Sequence, residues 1–152
     1  MKLTAVVVAA AAVGLAGCAS MSTGDGNSIA STKCDGSGAC KVDVSVTACI
    51  ITQYPTSLLV TTHNVNIFWE LDKNSQSYQF RDVDGVTLKQ PDSDFGEPQS
   101  QAHGKKYKLH DKNSKAKPGE QLTYPYRINV QYQFGGQWLD CPEQDPTIIN
   151  QG

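Results

Sequence analysis

The sequence is short of most things that would name a function. Its charges nearly cancel, 13 Lys and Arg against 15 Asp and Glu leaving a formal −2. The one basic grouping is Lys105, Lys106, Lys108, Lys112, Lys115 and Lys117. A nucleic-acid partner leaves a stronger positive footprint, so none is expected. The lysines read as a solvated loop, with contact to anionic lipid or polysaccharide as the alternative. No GxSxG surrounds a serine, no phosphate-cradling glycine loop occurs, and no two cysteines form the CxxC element usual in zinc sites. The three histidines, His63, His103 and His110, lie outside metal-motif spacing and read as surface or turn residues. After residue 17, no stretch of ten residues has helical periodicity and no repeat of solenoid or propeller length is present.

What is present begins with a leader. Lys2 precedes an apolar and small-residue run from Leu3 to Gly17, too short to span a bilayer and of the length of a secretory signal core. It closes on Leu15-Ala16-Gly17-Cys18, which resembles the lipobox of bacterial lipoproteins. The resemblance implies cleavage before Cys18 and acylation, of the palmitate type, at its thiol and at the new amino terminus. More than one acyl chain makes anchoring stable. Ala19 stands where Asp would favour inner-membrane retention, which implies the outer membrane, with the domain in the periplasm or at the surface. Met21 to about Lys41 is rich in Ser, Thr, Gly and Ala and reads as a flexible tether. The expected organisation is a leader over 1–17, an acylated cysteine and tether over 18–41, and one domain over 42–152.

With Cys18 set aside, Cys34, Cys40, Cys49 and Cys141 remain. An oxidising location and an even count favour two disulfides. Sequence leaves three connectivities open. The compliant loop between Cys34 and Cys40 favours that pair, which leaves Cys49–Cys141.

The hydrophobic period of the domain is two. Leu122 to Phe134 is predicted as one long strand with Tyr124, Tyr126, Ile128, Val130, Tyr132 and Phe134 on a buried face. Pro125 places its start at an edge or bulge. Gly135-Gly136 then turns the chain into a short partner, Gln137 to Asp140. Further strands are predicted at Val42–Ala48, Ser57–Thr61, Val65–Leu71, Tyr78–Phe80, Val86–Leu88 and Lys106–His110, with residues 90–104 as a long loop. The fold expected from these strands is all-β, an antiparallel β-sandwich.

Ile67-Phe68-Trp69, Tyr78-Gln79-Phe80, Asp111-Lys112-Asn113, the run Tyr124 to Val130 and the tail Asp145 to Asn150 together resemble the cupredoxin-like sandwich. More narrowly, they resemble the small bacterial family called DP-EP, with Glu97-Pro98 and Asp145-Pro146 as its two dipeptides. The likeness covers Val42 to Asn150 and implies a fold, an antiparallel Greek-key β-sandwich of cupredoxin or immunoglobulin type, but no activity. A blue-copper site needs two His, a Cys thiolate and usually a weak axial Met. Here Pro142-Glu143-Gln144 follow Cys141 with no histidine beyond, and Met21 precedes the domain. The implied fold is therefore used without copper, and no cofactor is expected.

Asp82, Asp84, Asp92, Asp94 and Glu97 form the one acidic grouping. Turn chemistry explains Asp and Gly here. A weak calcium site is the alternative, although position twelve from Asp82 is Ser93 and completes no calcium loop. Trp69 and the tyrosines at 124, 126 and 132 read as core, and Trp138 as an exposed aromatic able to meet a sugar or peptide. The function expected is a membrane-anchored, non-enzymatic binding or structural module with an envelope protein or glycan partner, open to strand addition at a sheet edge. A metal-binding protein using His or Asp/Glu ligands and an inhibitor of an envelope-attacking hydrolase are the alternatives.

Overall fold

The computed structural model of the chain describes residues 31–34 and 39–152. The leader, Cys18 and Met21 lie outside the described residues. Thirteen strands follow one another: β1 Ser31–Cys34, β2 Ala39–Thr47, β3 Ile50–Tyr54, β4 Ser57–Val60, β5 Val65–Leu71, β6 Tyr78–Phe80, β7 Val86–Leu88, β8 Gln99–Gln101, β9 Lys106–Asp111, β10 Gln121–Ile128, β11 Val130–Phe134, β12 Gln137–Asp140 and β13 Thr147–Gln151. Helical structure among the described residues is one 3₁₀ turn, Lys73–Ser75. One five-stranded sheet has the order β1-β4-β13-β10-β7, a second has β3-β2-β5-β9-β8, and a small sheet has β12-β11-β6.

Alternation decides which side chains go inward. Cys40, Val42, Val44 and Val46 of β2, Val65, Ile67, Trp69 and Leu71 of β5, and Tyr107 and Leu109 of β9 are buried from the second sheet. Leu58, Val60, Tyr126, Ile128 and Ile148 are buried from the first. Each fully buried side chain of this size contributes about 1.5–3 kcal/mol of transfer free energy. The two faces meet where Trp69 packs edge-on to Tyr126, ring centroids 5.3 Å apart. Their polar atoms are also joined. Trp69 Nε1 donates to the Tyr126 hydroxyl at 3.1 Å, which donates to Gln53 Oε1 at 3.0 Å. Burial pushes the Tyr126 phenol up to about 12, so it stays a donor. Tyr126→Phe strands an indole N–H and an amide oxygen in the core. It is expected to cost about 1–3 kcal/mol of stability at unchanged m-value in urea; an unaltered midpoint would contradict this polar bridge.

The all-β sandwich and both disulfides agree with the sequence reading: Cys34–Cys40 and Cys49–Cys141 are bonded, across 6 and 92 residues. Other expectations are corrected. The sheets are not purely antiparallel, because β1–β4, β4–β13 and β2–β5 are parallel pairs. Ser31–Cys34 and Ala39–Lys41, assigned to the tether, lie in strands, so the domain starts before Val42. Ala48 and Cys49 at φ 49° and 63° make a two-residue turn without glycine, which opens an unforeseen β3. The long strand at 122–134 is broken at Asn129. The N–H of Asn129 donates to Gly85 O (2.8 Å), its carbonyl accepts from Arg81 N (3.1 Å), and its Nδ2 donates to Asp84 O (2.7 Å). All three go to the β6–β7 turn, so the chain steps from the first sheet, where β10 pairs with β7, to the small one, where β11 pairs with β6. Tyr124 and Tyr132 are accordingly half-buried, not core, and Phe134 is 71% exposed.

Gly85 closes that turn for a reason beyond turn chemistry. A Cβ there would stand 2.6 Å from Arg81 O and 2.7 Å from the Tyr107 ring, so only glycine lets the turn lie on the core.

Candidate functional site

Between β7 and β8 the chain forms a strap, residues 90–98, passing from the first sheet, where Lys89 N donates to Pro125 O at 2.9 Å, to the second, where Phe95 bridges to Asp111. Short-range capping shapes it: Asp92 Oδ1 accepts the Asp94 N–H at 2.8 Å, and Phe95 N donates to Asp92 O at 3.1 Å. The turn after β9 then clasps it. Ser114 N–H donates to both Asp94 oxygens at 3.0 Å, and Lys112 N donates to Asp94 O at 2.8 Å. Lys112 Nζ reaches Ser93 O at 2.8 Å, and Lys115 Nζ pairs with Asp92 at 2.5 Å. That lysine is the main reason the Asp92 carboxyl sits below its ordinary range. On the far side Gly96 N donates to His110 O at 2.8 Å.

The strap thus stands as a fixed wall. Between it and β7 lies a cleft of about 310 Å³, lined by Leu88, Pro91, Phe95 and Pro98, with Asp92 and Glu97 among its polar residues. The Phe95 ring is held edge-on by Tyr124, centroids 4.8 Å apart. A second, smaller space of about 110 Å³ lies against β9, lined by Gly96, Glu97, Gln99, Lys108 and His110. Gly96 and Glu97 line both.

Beneath the strap is a buried carboxyl that the sequence reading passed over. Asp111 pairs with Phe95 across an isolated bridge and points inward in the row Tyr107, Leu109, Asp111. Its Oδ1 accepts from Asn113 N (2.8 Å) and from Asn150 Nδ2 (3.0 Å). Asn113 in turn donates from Nδ2 to Val60 O, Thr62 O and Gln151 O, at 3.3, 3.4 and 3.1 Å. Asp111 Oδ2, Asn113 Oδ1 and Asn150 Oδ1 are buried with no hydrogen-bond partner among the described residues. Burial, reinforced by Asp94 and Asp92, pushes the Asp111 carboxyl up to about 6 against the hydrogen bonds that favour its charge. The signal was available: period two, continued from Tyr107 and Leu109, puts residue 111 in the core, where an aspartate is out of place.

The acidic grouping proves to be divided between two turns. Asp82 is exposed and Asp84 pairs with Arg81 at 2.9 Å on the β6–β7 turn, whereas Asp92, Asp94 and Glu97 belong to the strap. Among the described residues no three His, Cys, Asp or Glu side chains are placed to hold a metal ion. Asp94 spends both oxygens capping the turn at Ser114, which is structural work. The histidines do not converge: His63 Nδ1 contacts Asn113 O at 2.5 Å, His110 Nδ1 contacts Asn66 Oδ1 at 3.2 Å, and His103 is exposed on a turn. The lysines divide: Lys112, Lys115 and Lys117 are exposed in the loop after β9, whereas Lys105, Lys106 and Lys108 are half-buried at the start of β9 and along it. Lys105 donates to the carbonyls of Gln76 and Tyr78, and Lys106 pairs with Glu70 at 2.6 Å over the Phe68 ring.

Trp138 is exposed as expected, at 47%, on the β11–β12 ribbon. Every residue from Gln133 to Asp140 on that ribbon is exposed. Asp145 pairs with Lys89 at 2.6 Å and Pro146 O accepts from Tyr126 N at 3.0 Å, while Glu97-Pro98 is part of the strap. No family model and no curated protein matches the chain, so the DP-EP likeness rests on its short motifs alone.

Proposed function

We propose that the chain is a lipid-anchored protein of the bacterial outer membrane, attached through Cys18, whose sandwich is a non-enzymatic binding module, and that the strap cleft is where it binds. The observation that supports this reading is the preformed apolar cleft. Its wall is already pinned by the Asp94 cap and the Lys115 pair, so a ligand would meet little ordering cost. A ligand that prefers the folded state raises its stability. Apolar fragments screened by thermal shift on the intact protein are therefore expected to raise the midpoint of the wild type and not of a cleft-filled Leu88→Trp variant. Equal shifts in both would remove the cleft as the site, and saturable chemical turnover by the purified protein would remove the non-enzymatic reading. Intact mass of the protein from bacterial membranes tests the anchor: an acylated chain starting at Cys18 is expected, and a chain retaining residues 1–17 would overturn it.

A second reading is favoured by the ribbon. Phe134, Trp138 and Leu139 are 71%, 47% and 38% exposed, and aromatic residues of this kind anchor protein and glycan partners. In that case crosslinking in the envelope is lost in a Phe134→Ser, Trp138→Ser double variant that retains cleft binding.

A further inference from the structure

One end of the sandwich carries most of the apolar surface that the fold leaves uncovered. Six large hydrophobic side chains are exposed among the described residues; Phe134, Trp138 and Leu139 stand on the β11–β12 ribbon, and Ile50 directly follows the β2–β3 turn. The Cys49–Cys141 disulfide holds that turn against the foot of the ribbon. Between Arg127 and Asp140 the chain has no charged side chain. The three ribbon side chains do not share a face. Tyr132 lies opposite Leu139, and Gln133 opposite Trp138. Directly opposed residues share a face and successive ones alternate, so Phe134 and Leu139 stand on one side and Trp138 on the other. A partner docked on a flat face covers one side, whereas an interface entered end-on meets both.

Strand direction fixes where the amino-terminal segment arrives. Ser31 is level with Ser57, Ser57 with Thr147, and Thr147 with Pro125. β1, β4 and β13 run parallel, and β10 runs against them. The chain therefore enters β1 from the side toward which β10 runs, and β10 leads through Asn129 into the ribbon. Residues 19–30 separate Cys18 from Ser31, a length of chain that spans at most about 45 Å. The ribbon tip at Gly135 is ten residues beyond Pro125, so it stands no more than about 33 Å past the level of Ser31. Cys18 and the tip can thus lie in one plane.

We infer that the ribbon tip enters the lipid interface of the bilayer that holds Cys18, so that the sandwich stands on the membrane at two points. The inference rests on the reading of Cys18 as a lipid anchor. Phe134, Trp138 and Leu139 fall in three successive cross-strand pairs below the Gly135-Gly136 turn, a depth of about 10 Å. Interfacial elements bury their apolar side chains to about that depth, and an amphipathic indole settles at the headgroup level. No charge has to leave water for the tip to enter. A ribbon tip alone holds a bilayer weakly, but the anchor makes its entry an intramolecular step at high effective concentration.

Tryptophan fluorescence tests this, because the chain has two tryptophans and Trp69 is fully buried, which leaves Trp138 as the reporter. The protein extracted from bacterial membranes, its intact mass determined, is reconstituted into phosphatidylethanolamine–phosphatidylglycerol vesicles with and without brominated acyl chains. Brominated lipid is expected to quench Trp138, and the bilayer to shield it severalfold from acrylamide. A Trp138→Phe variant, which reports Trp69, should respond to neither. A Phe134→Ser, Leu139→Ser double variant is expected to lose the quenching by brominated lipid while keeping its urea midpoint. Quenching undiminished in that variant would overturn entry of the tip. An acylated protein whose Trp138 is open to acrylamide and untouched by brominated lipid would overturn the inference and leave the anchor standing. Shielding from acrylamide without quenching by brominated lipid would also overturn it, and would mark the ribbon as a contact between copies of the chain. A protein that retains residues 1–17 and carries no acyl group would remove the anchor reading and this inference with it.

Discussion

Replacing Cys49 and Cys141 together by alanine is expected to lower stability by about 4–5 kcal/mol, whereas the Cys34→Ala, Cys40→Ala double variant should lose only about 2 kcal/mol. In the chain-entropy account a crosslink stabilises by restricting the unfolded chain, and the effect grows with the logarithm of the loop it closes. The loops differ widely, with sequence separations of 92 and 6. The long bridge also joins the β2–β3 turn to the small sheet, where Cys49 N donates in addition to the Tyr78 hydroxyl of β6 at 3.4 Å. Cys49 sits on the β2–β3 turn of the second sheet, and Cys141 follows β12, bonding through its N–H to Val130 O at 2.8 Å. The small sheet is thereby tied to the hairpin of the larger one. A domain of this size has a net stability of about 5–15 kcal/mol, so the loss is a large share of the whole. Guanidinium unfolding of the two double variants at one pH decides the matter. A short-loop variant that loses as much as the long-loop one would defeat the entropic explanation.

Strand positions were legible where a period of two ran between turn residues. Val65–Leu71, Tyr78–Phe80, Val86–Leu88 and the Gly135-Gly136 hairpin are all found as read. What failed were the places where something other than glycine or proline turns the chain. Ala48-Cys49 adopts positive φ next to a disulfide, and β3 went unseen behind it. Asn129 interrupts a flawless alternation because its backbone is claimed by the β6–β7 turn, a contact 44 to 48 residues away along the chain. Parallel pairing of β4 with β1 and β13 depends on elements far apart in sequence and leaves no local mark.

The site was legible only as composition. The strap was noticed for its acids, and the acids on it prove to be caps and pairs, while the lining that makes the cleft consists of Leu88, Pro91, Phe95 and Pro98, residues with no chemical signature. Asp111 is the instructive miss. The strand predicted to end at His110 runs one residue further, so Asp111 begins the turn through Asn113 and also takes the next inward position of β9.

That inward position predicts how stability varies with pH. The Asp111 carboxyl lies at about 6 in the folded protein against an ordinary 3.8, so the folded state binds its proton more tightly than the unfolded chain does. The stabilisation is complete below about 3.8 and is lost as pH rises through about 6, which amounts to about 3 kcal/mol over the whole titration and to somewhat over 2 kcal/mol between about pH 4 and about pH 7. Glu70, held down chiefly by Lys106, and Asp92, held down chiefly by Lys115, act in the opposite sense, their contributions fading as pH falls below the ordinary carboxylate range. Maximum stability is thus expected on the acid side of neutrality. The proton has a structural place to go: on Oδ2 it supplies a donor in a neighbourhood where Asp111 Oδ2, Asn113 Oδ1 and Asn150 Oδ1 have none. Asp111→Asn provides that donor permanently and keeps an acceptor for Asn113 N and Asn150 Nδ2. The variant should match the wild type near pH 4 and exceed it by up to about 3 kcal/mol above pH 7, with the slope between them removed. Asp111→Ala, which strands both donors and opens a cavity, should be weaker at every pH. Comparing the three proteins cancels whatever pH dependence they share. Guanidinium midpoints across that range give the answer, and a slope retained in Asp111→Asn would move the origin of the pH dependence away from this carboxyl.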